Sequence, residues 1–265
     1  MTAADEETAL LGLAPVAPDR TVAYGPHPDQ LVDFYGPWPG SGPLVVLLHG
    51  GFWRAAYDRR HLSPCAAELA RHGLPVALAE YRRVGAGGGA PRTFEDVPAA
   101  VAAAAGAPPR ETVLVGHSAG GHLALLAAAR PGPPVTRAVA VAPVADLARA
   151  HELGLSDGAV AELLGAGPGF AGRLADADPV RHPPAGIPVT LLHGTDDPDV
   201  PPELSRRYAA AHPAATTLRE LPGVGHYAPV TPGTDAFGTL LELIRGGGPG
   251  AAEAAAEPPG AGRTG

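Results

Sequence analysis

The 265-residue chain contains no lysine and no asparagine, and it has one cysteine and one methionine. We attribute the missing lysine and asparagine, beside abundant alanine, glycine, proline and arginine, to coding bias rather than to chemistry. A single cysteine, Cys65, excludes an intrachain disulfide and a cysteine metal cluster. We expect Cys65 to be a small buried residue of a helix rather than a catalytic thiol.

Positive charge is also scarce, since 19 basic side chains stand against 27 acidic ones and the net charge is −8. This balance argues against nucleic acid or an anionic membrane surface as the main partner. No apolar run reaches the length of a membrane span, and residues 1–13 lack the pattern of a signal peptide. We therefore expect a cytoplasmic protein, and its oligomeric state stays open.

Short apolar runs alternate with helical patterns from Leu44 onward. The run Leu44–Leu48 has no polar break, which is typical of a central strand covered on both faces. The alternation predicts an α/β fold with a doubly wound, mostly parallel sheet, in which ligands lie at the carboxyl ends of the strands. We expect a loose arm over residues 1–20, one domain over 21–245 with a short helical insert (cap) at 147–184, and a disordered tail over 246–265.

The most informative stretch is Gly116-His117-Ser118-Ala119-Gly120, which lies between a β-branched apolar run and a run of strong helix formers. Strand, tight turn and helix are the context in which G-x-S-x-G forms a nucleophile elbow. Such a turn holds the serine clear of the sheet, where a general base can reach it. The alternative is a chance match in a loop with two glycines.

A serine nucleophile needs a base and an orienting acid, which follow it in the order serine, acid, histidine. Asp196 and Asp197 follow one predicted strand, and His226 follows the last one. His226 would take the Ser118 proton and return it to the leaving group. No pair of histidines has a carboxylate at the spacing of a metal site, so no metal is expected, and serine hydrolysis implies no other cofactor. His117 and His122 are expected to pack beside the elbow, and six other histidines are expected to be exposed to solvent: His27, His61, His72, His151, His182 and His212.

Residues 21–245 resemble the α/β-hydrolase superfamily. The segment from His193 to Pro201 (HGTDDPDVP) is similar to its acid loop, and Gly223-Val224-Gly225-His226 is similar to its histidine loop. Aligned residue by residue, the resemblance places the acid at Asp197 rather than Asp196. Oxyanion donors are then implied at the backbone N–H of Ala119, after the nucleophile, and of Gly51 and Phe52 in the loop that begins His49-Gly50-Gly51. The alternative for that loop is a plain turn.

The aromatic pair Phe52-Trp53, together with Glu80-Tyr81-Arg82, resembles the kynurenine formamidase (arylformamidase) and small carboxylesterase branch. Trp53 could bind substrate by stacking on an aryl group, or it could pack to fix the loop.

The sequence thus predicts a serine hydrolase that cleaves a small ester or an N-formyl amide through Ser118, His226 and Asp197. A prolyl-type aminopeptidase and a non-catalytic binding module on the same fold are the alternatives.

Overall fold

The computed structural model describes residues 3–38, 40, 42–106, 111–132 and 135–246. Its strands, in chain order, are β1 (Arg20–Ala23), β2 (Leu31–Tyr35), β3 (Leu44–Leu48), β4 (Val76–Ala79), β5 (Thr112–His117), β6 (Arg137–Val141), β7 (Val189–Gly194) and β8 (Thr216–Leu221). Every residue of β3 is buried, as its unbroken apolar sequence predicts, and every residue of β5 is buried as well.

These strands form one sheet in the order β1-β2-β4-β3-β5-β6-β7-β8. From β4 through β3 to β8 each neighbouring pair is parallel, whereas β2 runs antiparallel to both β1 and β4. The mostly parallel, doubly wound sheet predicted from the alternation of strands and helices is therefore confirmed.

The α-helices of the described residues are α1 (Ala3–Leu11), α2 (Ser63–Arg71), α3 (Arg92–Ala105), α4 (Ala119–Ala128), α5 (Leu147–Glu152), α6 (Leu155–Leu164), α7 (Phe170–Ala177), α8 (Glu203–Ala211) and α9 (Asp235–Ile244). Helices α2 and α9 pack on one face of the sheet, and α3 and α4 pack on the other. Cys65 lies fully buried in α2, where burial raises the pKa of its thiol to about 12. A thiol in that state is not a nucleophile at neutral pH, which agrees with its expected packing role.

Because the parallel strands share one direction, the loops after β3, β5 and β7 open at one edge of the sheet. The loop after β8 joins them there, since β8 pairs in parallel with β7. The predicted insert contributes α5, α6 and α7 between β6 and β7, at the same edge.

The N-terminal arm differs from its prediction. Residues 1–20 were expected to be loose because they show no periodicity, yet α1 forms there and Leu10 is buried in the same core cluster as side chains of α2 and α9. A single buried leucine and one buried acid anchor the helix, and neither produces a recognisable sequence pattern.

The C-terminal tail predicted over residues 246–265 lies outside the described residues, apart from Gly246. In the part of the chain that the structure describes, no helix combines the length and the apolar character needed to cross a bilayer. The location of the protein stays a prediction.

Candidate active site

Ser118 lies between β5 and α4 in a backbone conformation that side chains rarely adopt, with φ 57° and ψ −118°. The turn is possible because its neighbours lack a Cβ. A Cβ on Gly116 would lie 2.1 Å from the carbonyl oxygen of Gly120, and one on Gly120 would lie 2.4 Å from the carbonyl oxygens of Leu48 and His49. Both contacts are with backbone, which cannot move aside. The strained serine at the amino end of a helix is the geometry that the elbow motif describes.

Asp197 and His226 meet through a buried hydrogen bond from the imidazole Nδ1 to carboxylate Oδ2, 2.6 Å long. The other oxygen, Oδ1, accepts the backbone N–H groups of Asp199 and Val200 at 2.9 and 2.8 Å. Burial by itself would raise the pKa of Asp197, but the charge of His226 and hydrogen bonds from His193 and His226 outweigh it and hold that pKa well below its usual value. Asp197 therefore stays ionised at neutral pH and orients the imidazole through Nδ1.

Ser118 and His226 form neighbouring walls of one cavity of about 200 Å³. Within the described residues, no hydrogen bond joins the Ser118 hydroxyl to the imidazole. Catalytic hydrogen bonds of this kind often form or shorten only when substrate binds, so the separation is compatible with a proton transfer between the two.

Asp197, Asp199 and His226 also bring three potential metal-ligand atoms within 4.8 Å of one another. Both oxygens of Asp197 and the Nδ1 of His226 are already engaged in hydrogen bonds. The donor set fits a hydrogen-bonded acid–imidazole pair better than a metal site.

The loop after β3 lies opposite the elbow and turns through positive φ values at Gly51 (99°), Phe52 (46°) and Trp53 (59°). Gly51 and Phe52 border the same cavity as Ser118. In the described part of the chain neither of their N–H groups has a hydrogen-bond acceptor. Together with the first N–H of α4, at Ala119, they are free to bind an anionic oxygen.

A buried network of charged and polar side chains packs against the start of the loop after β3. Glu80 accepts the His49 Nε2 at 2.7 Å and the Arg59 backbone N–H at 3.0 Å. Burial would raise the pKa of Glu80, but His49 and Arg83 lower it to about 2. The Tyr81 ring stacks on His49 at 4.4 Å, and its hydroxyl donates to the His49 carbonyl. The network holds the start of the loop rigidly against β4.

Residues 32–211 match the model of the protein family described as BD-FAE. The matched segment covers more than half of the chain and contains the loop after β3, the elbow and Asp197. The chain belongs to the BD-FAE family.

Solved structures that resemble this BD-FAE family member include esterases. Esterase B from Lactobacillus rhamnosis is 21% identical, with a TM-score of 0.72, and the match covers 92% of this chain and 90% of that one. Thermogutta terrifontis esterase 2, phosphonylated by sarin in its structure, is 25% identical, with a TM-score of 0.66 and coverage of 86% and 94%. The predicted α/β-hydrolase superfamily is confirmed.

A curated relative from Arabidopsis thaliana carries the name "Probable isoprenylcysteine alpha-carbonyl methylesterase ICMEL2" and is 27% identical to the BD-FAE chain. The match covers 86% of this chain, which spans 59% of the length of the relative. These comparisons do not test the narrower resemblance to kynurenine formamidases, which stays a prediction.

Trp53, predicted to bind substrate, does not border the cavity that Ser118 and His226 line. It is fully buried in the core, with its ring 5.1 Å from the His122 ring and nearly perpendicular to it. The left-handed turn at residues 52 and 53 sends the two aromatic side chains in different directions, so that Phe52 reaches the cavity instead. The prediction of substrate contact by Trp53 is therefore wrong, and the packing alternative holds.

The cavity has walls that sequence reasoning missed. His61 was expected to be exposed to solvent, yet it borders the cavity, where burial lowers its pKa to about 4. Tyr57, Asp199 and Tyr227 complete this part of the wall. Only the neighbours of Ser118 and His226 in sequence could have been suspected, since no motif marks the others.

The insert reaches the cavity through Ser156, whose backbone is left-handed with φ 48°. Arg54, in the loop after β3, donates to the Ser156 hydroxyl at 2.9 Å and to its carbonyl at 2.6 Å. The same guanidinium pairs with Glu162 at 2.7 Å. The insert is thus tied to the loop that carries the predicted oxyanion donors, and it covers one side of the cavity.

His122 packs directly behind the elbow, as expected. It is fully buried, and its Nε2 bonds the Ala177 carbonyl at 2.9 Å. Burial lowers its pKa to about 4, below the value of about 6.5 for an unfolded chain. Below pH 6.5 the unfolded state therefore binds a proton that the folded state does not, so folding loses stability as the pH falls toward 4.

We expect His122→Gln, which keeps a donor for the Ala177 carbonyl, to reduce the acid sensitivity of folding. Between pH 7.5 and pH 5, wild type should lose about 2 kcal/mol more unfolding free energy than the variant, from the linkage of this one group. Urea unfolding at both pH values measures the difference. The exposed His72→Gln should behave as wild type, and identical losses in all three proteins would contradict the assignment.

Proposed function

We propose that this protein hydrolyses a small carboxylic ester, or an N-formyl amide, through Ser118, His226 and Asp197 and a covalent acyl-enzyme. The observation that carries the proposal is the strained Ser118 facing the same cavity as an imidazole whose Nδ1 is bonded to an ionised carboxylate. The esterase names of its relatives support the same reaction class.

In the proposed reaction, the Ser118 hydroxyl attacks the substrate carbonyl carbon while its proton passes to Nε2 of His226. The carbonyl oxygen gains the negative charge and accepts N–H bonds from Gly51, Phe52 and Ala119. His226 then gives the proton to the departing alcohol or amine, which leaves an acyl group on Ser118. Water, deprotonated by His226, attacks this ester, and the serine is restored as the acid departs.

A cavity of about 200 Å³ favours a short acyl chain over a long one. A small alcohol is consistent with the methylesterase name of the plant relative. The resemblance of Phe52-Trp53 to formamidases keeps the N-formyl amide as a candidate, although only Phe52 could contact an aryl group. The aminopeptidase and the non-catalytic module remain alternatives on the same fold.

We expect kcat/KM to be at least about tenfold higher for p-nitrophenyl acetate or for N-formylkynurenine than for an aminoacyl arylamide, which corresponds to about 1.4 kcal/mol in barrier. We also expect p-nitrophenyl acetate to exceed the decanoate by at least that factor. Initial rates across the four substrates measure both. A preference for the arylamide would support the peptidase, and no turnover of any substrate would support the binding module.

A further inference from the structure

Glu6, on α1, places its carboxylate inside the loop that carries His226, more than two hundred residues away in sequence. Its side chain is 3% exposed. Oε1 accepts the backbone N–H of Gly225 at 2.8 Å, and Oε2 accepts those of Tyr227 and Ala228 at 3.2 and 3.0 Å. The three donors lie immediately on either side of His226, so one ionisable group from the N-terminus binds the backbone around the proposed base.

The loop is shaped to receive this carboxylate. A Cβ on Gly225 would lie 2.8 Å from Oε2 of Glu6, closer than real Cβ atoms come to other heavy atoms, and 3.1 Å from Oε1. A side chain at the position before His226 would therefore require the Glu6 carboxylate to shift. Leu10, one helical turn further along α1, is buried in the core cluster that includes Val230 from the end of the same loop.

The other side of the His226 backbone is held as well. The His226 carbonyl accepts Nε2 of the buried His117, at 3.1 Å. Burial keeps the pKa of His117 well below its usual value, so this histidine is neutral and donates through Nε2. Contacts from Glu6 and His117 together fix the peptide groups from Gly225 to Ala228, and through them the direction of the imidazole.

We propose that Glu6 is a positioning residue for His226, and that α1 therefore contributes to the geometry of the active site. The proposal rests on the catalytic role of His226 proposed above. Charge-assisted hydrogen bonds to backbone N–H groups are stronger than neutral ones. A displacement of about 1 Å in a catalytic group can lower the rate by about a hundredfold. Helix α1 also brings Glu7 and Leu11 to the rim of the cavity, which fits this role.

Glu6→Gln is the variant that tests the proposal, because it keeps the size of the side chain. An amide offers one acceptor oxygen in place of two and turns an NH₂ group toward a backbone N–H. We expect kcat for p-nitrophenyl acetate, counted per active site by phosphonate titration, to fall about tenfold to a hundredfold. KM should change less than about threefold, because substrate binding is largely retained.

Hydrogen exchange gives a readout that does not depend on activity. The amides of Gly225, Tyr227 and Ala228 should exchange faster in Glu6→Gln than in wild type, whereas those of β5 should be unchanged. Gly225→Ala provides a second variant, since its methyl group must displace the carboxylate while Glu6 itself is kept. It should lower kcat per active site in the same way. The matched control is Glu242→Gln, an exposed glutamate of α9, which should match wild type in both assays.

The outcomes separate the two proposals. A wild-type protein that turns over no ester or formamide would overturn the proposed function. With an active wild type, unchanged kcat per active site in Glu6→Gln would overturn the positioning role. The same conclusion would follow if both variants had fewer titratable active sites but an unchanged kcat per active site. That result would indicate a purely structural contact.

Discussion

Ser118→Ala is expected to lower kcat for p-nitrophenyl acetate by about 10⁴- to 10⁶-fold, the range seen when a triad nucleophile is removed. In the proposed reaction the Ser118 hydroxyl oxygen forms the acyl bond, and the hydroxyl of Ser156, which also borders the cavity, is held by a hydrogen bond from Arg54. The fold should be kept, because alanine has the same Cβ as serine and bears the same left-handed backbone strain at φ 57°. Steady-state kinetics and thermal unfolding measure the two effects.

Covalent labelling distinguishes this loss from a general defect. An aryl phosphonate should add one phosphonyl group to wild type, with loss of the aryloxide, and should add none to Ser118→Ala in intact-mass spectra. Thr239→Ala removes an exposed hydroxyl on α9 and should label and turn over as wild type. Turnover retained in Ser118→Ala would exclude Ser118 as the nucleophile, even if the protein remained an esterase.

Asp197→Asn is expected to lower kcat by about 10⁴-fold while the local structure is kept. In wild type, Oδ1 of Asp197 accepts the backbone N–H groups of Asp199 and Val200, and the amide oxygen of the variant can still accept both. The amide nitrogen, however, replaces Oδ2 and donates to Nδ1 of His226. The imidazole must then carry its proton on Nε2, where it cannot accept one from Ser118.

Asp196→Asn provides a control one residue away. Asp196 is exposed, and its carboxylate accepts only the Thr195 hydroxyl among the described contacts. Its kcat should remain within about twofold of wild type, as expected of an exposed surface substitution. If Asp196→Asn lost as much activity as Asp197→Asn, or if Asp197→Asn retained its rate, the acid would have to be reassigned.

The structure agrees with one residue that the family resemblance singled out, Asp197, and disagrees with another, Trp53. The acid was placed at Asp197 by resemblance alone, since both aspartates follow the same strand. The structure buries Asp197 against His226 and leaves Asp196 in solvent. The reverse holds for Trp53, where the resemblance offered a substrate contact and the structure shows a buried side chain.

The sequence by itself determined the alternation of strands and helices, the elbow around Ser118, and the order in which the acid and the histidine follow it. These features depend on neighbouring residues: apolar periodicity, glycines at the turn and the loop after each strand. The tertiary structure alone decided which side chains meet. It places Phe52 rather than Trp53 at the cavity, turns His61 inward, and carries Glu6 from the N-terminus to the backbone beside His226. Contacts between distant segments depend on the packing of the whole sheet, and a local sequence pattern does not specify them.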